Sequence, residues 1–232
     1  MKTSIRAPFF ETSVKNYIYG DAVLEYAKVA DAAAIEFDID VIFVAPYTEI
    51  RRVSENTERI IVFAPYMDAL RPGRGLTEIL PEAVSAAGAK GVVLNHSERP
   101  MTLTALKKTI DRANELDLLT FVCADTISEA QAIAHLHPDI MNPEPTELIG
   151  TGQVSGMRFV KDVIHAIKAI DPNILVEQAA GITTAQQVYD FIMAGSEAAG
   201  SSSGILNSSE PYALLTEMIS YVRTAKDKLA RL

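Results

Sequence analysis

Eight short runs of β-branched and aliphatic residues, each followed by a stretch with helical spacing, recur along the 232-residue chain. No Gly/Ser-rich linker or shift of composition separates them. The candidate strands cover residues 5–10, 41–45, 60–63, 91–94, 118–123, 139–142, 174–177 and 197–201. Most are apolar without alternation, as parallel strands buried on both faces require. The intervening stretches 21–37, 48–56, 81–87, 104–116, 128–135, 158–170, 184–194 and 211–232 carry apolar residues three and four positions apart. Pro81, Ser128, Thr184 and Pro211 stand where a first helical turn or its cap belongs. This order predicts one domain over residues 1–232, a closed (β/α)8 barrel. An open doubly wound sheet is the alternative, but the first strand runs into Phe9-Phe10-Glu11-Thr12-Ser13, without the glycine-rich turn that dinucleotide binding needs.

Charge narrows the partners. With 21 Lys and Arg against 30 Asp and Glu, the net charge of −9 gives no electrostatic basis for binding nucleic acid or an anionic membrane. An anionic small molecule would need a local site. One cysteine, Cys123, and four scattered histidines supply neither a disulfide nor a four-ligand zinc site, so no metal is expected. A charged N-terminal stretch and the absence of any apolar run near the roughly 18 residues of a membrane helix lead to the expectation of a cytoplasmic protein.

In such barrels chemistry sits in the loops after the strands. The fourth strand is followed by Asn95-His96-Ser97-Glu98-Arg99-Pro100, an imidazole, a carboxylate and a guanidinium in one short loop. As a structural alternative, His96 caps the next helix and Glu98–Arg99 are a surface pair. His135, His137 and His165 fall on or just after helices and are read as non-functional. After the sixth strand, Pro143 and Pro145 stiffen the chain around Glu144, while Gly150 and Gly152 permit backbone swings. That composition suits a lid, and a lid that expels water makes a carboxylate a stronger base toward a C–H proton. The last two turns, Ala179-Ala180-Gly181-Ile182 and Ser201-Ser202-Ser203-Gly204, expose backbone N–H groups where barrels often hold phosphate.

Taken in order, Asn-His-Ser-Glu-Arg around His96, Glu144-Pro145 opening a loop that ends Ile149-Gly150-Thr151-Gly152, and the two late small-residue turns resemble the triosephosphate isomerase family, in its short archaeal-type branch. The resemblance spans about residues 41–206. It implies a TIM-barrel aldose–ketose isomerase of a small sugar phosphate, dihydroxyacetone phosphate and glyceraldehyde 3-phosphate first, working through an enediolate without metal or organic cofactor. It implies Glu144 as the base and His96 as the electrophile. Gly152, Gly181, Ser203 and Gly204 stand at the positions whose amides hold phosphate in the family, and Glu98 matches a carboxylate that pairs with the family's lysine.

Two regions depart from the pattern. The family has Asn-x-Lys at the end of the first strand, where an ungapped reading finds Phe9-Phe10-Glu11. The expected replacement is Lys15, in Lys15-Asn16-Tyr17, reached by a four-residue loop insertion that folds back over the mouth. Ala64-Pro65-Tyr66 stands where a polar residue usually follows the third strand. Two alternatives therefore remain: an isomerase of a four- or five-carbon keto-sugar phosphate, and a non-catalytic binder of a phosphorylated metabolite. In the relatives, the long connection 64–77 reaches a neighbouring subunit, so a homodimer or homotetramer is expected.

Overall fold

Each strand pairs in parallel with the next, and the first pairs with the last, closing the ring in the order β1 to β8. In this computed structural model, which describes residues 2–231, the strands are β1 (Phe9–Ser13), β2 (Val41–Val44), β3 (Ile61–Ala64), β4 (Gly91–Leu94), β5 (Leu119–Ala124), β6 (Ile140–Pro143), β7 (Leu175–Gln178) and β8 (Ala198–Gly200). The helices are α1 (Asp21–Phe37), α2 (Ile50–Glu55), α3 (Pro81–Ala86), α4 (Leu103–Glu115), α5 (Ile127–Ala134), α6 (Met157–Lys168), α7 (Ala185–Met193), α8 (Ser203–Leu206) and α9 (Pro211–Leu229). The fold is thus a single (β/α)8 barrel. Met1 and Leu232, at the ends of the expected domain and of the expected last helix, lie outside the described residues.

Strand residues alternate between two apolar layers. Outward-facing Phe10, Val41, Phe43, Val62, Val92 and Val122 join the helices in the larger core, while Phe9, Ile42, Phe63, Val93, Phe121 and Ile140 fill the barrel. The inner packing is close: a Cβ at Gly91 would lie 2.3 Å from the Phe63 ring. Burial on both faces is why the strands read as unbroken apolar runs. Helix starts follow their caps: Thr184 and Gln187 form a capping box on α7, and Thr102 accepts from the Ala105 N–H on α4. Among the described residues no helix is long and apolar enough to cross a membrane.

The first strand is the main correction. It runs from Phe9 to Ser13 rather than over residues 5–10, with Glu11 and Thr12 buried in the fold. Thr12 Oγ1 faces outward, 2.9 Å from the Tyr26 hydroxyl and 3.0 Å from the Ser201 carbonyl, while Glu11 faces the barrel interior. Ile5, expected to begin the strand, instead packs against the apolar filling of the barrel. No loop insertion is needed. With the strand ending at Ser13, Ser13-Val14-Lys15 has the spacing of the family's Asn-x-Lys, serine replacing asparagine.

Candidate active site

At the C-terminal mouth of the barrel a cavity of about 490 Å3 opens, within the size range of small-ligand sites. Lys15, His96, Glu98, Glu144, Gly181 and Ser203, all singled out from sequence, line it. Gly152 and Gly204 do not line it. Gly152 lies on the exposed lid, and Gly204 packs against the Ile182 carbonyl, which a Cβ would approach to 2.0 Å.

Lys15 follows β1 with φ 42°, a left-handed backbone that a non-glycine side chain adopts only where its surroundings impose it. The turn carries the side chain over the mouth. Its Nζ donates to Glu98 Oε1 at 2.9 Å and lies 3.4 Å from His96 Nε2. The Lys15 ammonium also holds the Glu98 carboxyl below its usual range, although burial opposes it.

His96 sits in a turn after β4, and not at a helix start: α4 begins at Leu103 and Thr102 is its cap. The alternative in which His96 caps the next helix is therefore corrected, and that helix supplies no donor to the imidazole. A turn N–H takes its place. The Glu98 backbone N–H donates to His96 Nδ1 at 3.1 Å, so Nδ1 is the acceptor and the proton of the neutral ring resides on Nε2, facing the cavity. Burial, reinforced by the Lys15 charge, lowers the imidazole's pKa, which keeps the ring neutral.

Glu144 follows β6, its backbone N–H bonded to the Ala124 carbonyl at 2.8 Å, and Oε1 lies 4.0 Å from His96 Nε2. Burial pushes its carboxyl up to about 7, against the pull of Lys15 and a hydrogen bond from Asn142. The short 3-10 turn Thr146–Leu148 and Gly150 and Gly152, at φ 74° and 75°, form the exposed loop above it. The arrangement offers a base of near-neutral pKa, a neutral N–H donor and an ammonium around one space, and Nδ1 of His96 is tied back to its own loop.

Opposite the lid, Gly181 and Ser203 bring two late turns to the cavity wall. The first N–H groups of α8 have no partner within the helix, as at any helix start. Gly181 has φ 72°, and a Cβ there would lie 1.8 Å from the Gln153 carbonyl, where the lid's C-terminal arm crosses the seventh turn. Gly181→Ala is expected to destabilise the fold by at least ~1–2 kcal/mol from backbone strain alone. Its thermal midpoint should fall by several degrees, with weakened binding of phosphate esters. An unchanged midpoint would show that this crossing is not rigid.

Sequence reasoning missed Ser13 and Tyr47, while Tyr66 was noted only as a departure after the third strand. Ser13 was hidden by the shortened first strand. Tyr47 and Tyr66 form an aromatic wall, with the Tyr47 hydroxyl donating to the Tyr66 carbonyl at 3.1 Å and the Arg99 guanidinium 4.6 Å from the Tyr66 ring centre. Aromatic residues after strands two and three were the available signal. Glu11, expected at the strand end, instead forms part of the cavity floor. His137, on the outer surface, bonds Asp171 at 2.7 Å.

Fold and site together define a barrel protein built for acid–base work on an anionic ligand. A family model described as triosephosphate isomerase matches residues 12–186. Among curated relatives, the triosephosphate isomerase of Sulfurisphaera tokodaii is 33% identical over 213 residues, covering 90% of this chain and 92% of that protein. That of Methanocaldococcus jannaschii is 31% identical over 210 residues, covering 89% and 95%. The solved triosephosphate isomerase of Bartonella henselae shares the fold, with a TM-score of 0.72 at 14% identity over 94% of this chain and 99% of that one. The chain belongs to the triosephosphate isomerase family, on the side of its archaeal members, and is an aldose–ketose isomerase of that type.

Proposed function

We propose that the chain interconverts dihydroxyacetone phosphate and glyceraldehyde 3-phosphate through an enediolate, with Glu144 as base, His96 as electrophile and Lys15 as the balancing cation. The observation that carries this reading is the convergence of Lys15 Nζ, at 3.4 Å, and Glu144 Oε1, at 4.0 Å, on His96 Nε2. Bound between them, the substrate's carbonyl oxygen would accept from His96 Nε2–H and Lys15, while Glu144 takes a proton from the adjacent carbon. The charge that develops on oxygen is met by donors already in place. The family is itself the standard case of a neutral imidazole in this role. Returning the proton to the neighbouring carbon completes the isomerisation, and no metal or organic cofactor is called for. Gly181 and Ser203 contribute amides to the phosphate site with Gly204 in the same first turn of α8, joined by Gly152 when the lid closes, while Glu98 positions Lys15.

The tyrosine wall favours a second reading. Tyr47 and Tyr66 line the cavity beside the reacting groups, where a four- or five-carbon keto-sugar phosphate would place additional hydroxyls. A coupled assay with the two triose phosphates, followed by tetrulose and pentulose phosphates, separates the readings. Turnover above about 10² s⁻¹ on trioses is expected of a well-evolved enzyme. Turnover confined to longer substrates would favour the second reading, and none on any would favour a binder.

The reading carries with it a cytoplasmic homo-oligomer, dimer or tetramer. Leu76, 97% exposed on the long connection between β3 and α3, supports association through that loop.

A further inference from the structure

Beneath the cavity the barrel is packed with apolar side chains, yet two carboxyls project into it. Glu11 of β1 is 6% exposed and forms part of the floor; Glu177 of β7 is fully buried, and neither of its oxygens has a hydrogen-bond partner among the described residues. Between these strands runs β8, with Gly200 paired to Glu11. A Cβ on Gly200 would lie 2.2 Å from Glu177 Oε1 and 2.6 Å from Glu11 Oε2, so the two carboxyls converge on the notch that the glycine leaves open. The ammonium of Lys15, whose charge acts on Glu11, is paired with Glu98. Two carboxylates this close in an apolar surround cannot both ionise at neutral pH. A retained proton supplies the donor that the Glu177 oxygens otherwise lack.

We propose that Glu11 and Glu177 form a carboxyl pair that stays protonated at neutral pH and that Glu11 is thereby a positioning residue of the site. Its neutral form adds no charge beneath an anionic ligand, and loss of its proton makes the site repel one. The proposal takes only the ligand's negative charge from the isomerase reading. Lys15 at the mouth, Glu144 from β6, Cys123 from β5, Tyr26 behind β1 and Glu177 from β7 are the titratable groups around Glu11. Burial first, then the Glu144 charge, pushes Glu11 up to about 8, with Lys15 opposing; burial, then the Glu11 and Glu144 charges, also raises Glu177 well above the usual carboxylate range. Burial and the same carboxylates keep the Cys123 thiol protonated as well.

Two measurements on the whole chain test this, and neither needs turnover. Isotope-edited infrared spectra should show protonated carboxylic acid at pH 7 beyond the band that Glu144→Gln removes, with one component lost in Glu11→Gln. Calorimetry with glycerol 3-phosphate, which has no carbonyl to isomerise, should show affinity falling about tenfold between pH 7.5 and 9 as a charge appears below it. Over that range the phosphate is already dianionic and lysine remains charged. In Glu11→Gln the fall should be under about twofold. Absence at pH 7 of any protonated acid other than Glu144, through ionisation or a bound cation, would overturn the pair. Persistence of the full affinity loss in Glu11→Gln would overturn the positioning role. Should Glu11→Gln fail to fold, Glu177→Gln must shift the remaining acid band, and an unshifted band overturns the proposal. If trioses are not turned over, the functional reading fails while both readouts here keep their meaning.

Discussion

Glu144→Gln is expected to lower kcat on the triose phosphates by about 10³-fold or more while phosphate-ester affinity changes little, since it removes a proton-transfer group and leaves the phosphate turns intact. The amide keeps the side chain's size at a nearly fully buried position, so folding is not the cause of the loss. Wild-type activity should itself report this group. Glu144 is raised to about 7 chiefly by burial and acts as a base only without its proton, so kcat/KM should rise as pH increases through about 7. A pH-rate profile with that acidic limb absent, or near-normal turnover in the variant, would remove Glu144 from the mechanism.

Lys15→Ala should be comparably damaging but in a different pattern. In the proposed mechanism the ammonium meets both the substrate's anionic group and the oxygen on which charge develops, so its loss should raise KM and lower kcat together, reducing kcat/KM by about 10³-fold or more. Stability should barely change. The Lys15–Glu98 pair is partly exposed, with Glu98 64% accessible, and pairs of that kind contribute little to folding. A thermal midpoint close to wild type together with a collapsed kcat/KM separates this role from a structural one. Steady-state kinetics resembling the wild type would show that the cation lies elsewhere.

The barrel was legible because its strands are buried on both faces: runs such as Val41–Val44 and Gly91–Leu94 contain almost nothing but apolar residues. The same rule failed at β1. Polar Glu11, Thr12 and Ser13 looked like the start of a loop because an apolar criterion cannot see the Tyr26 and Ser201 partners that satisfy Thr12, or a proton that neutralises Glu11. That single error displaced the strand end and made an insertion before Lys15 appear necessary. His96 and Glu144 were found through the order of their loops along the chain. What sequence could not supply was the tautomer of His96, which depends on one backbone N–H two residues away. Nor could it bring together Glu11 and Glu177, which are neighbours only across the closed ring at Gly200.

Whether Glu144 moves a carbon-bound proton is read out by turnover of dihydroxyacetone phosphate in deuterated water, followed by proton magnetic resonance. The expected result is a glyceraldehyde 3-phosphate product carrying solvent deuterium at the carbon next to the carbonyl, with both turnover and exchange lost in Glu144→Gln. Undiminished turnover and exchange in that variant would contradict the account.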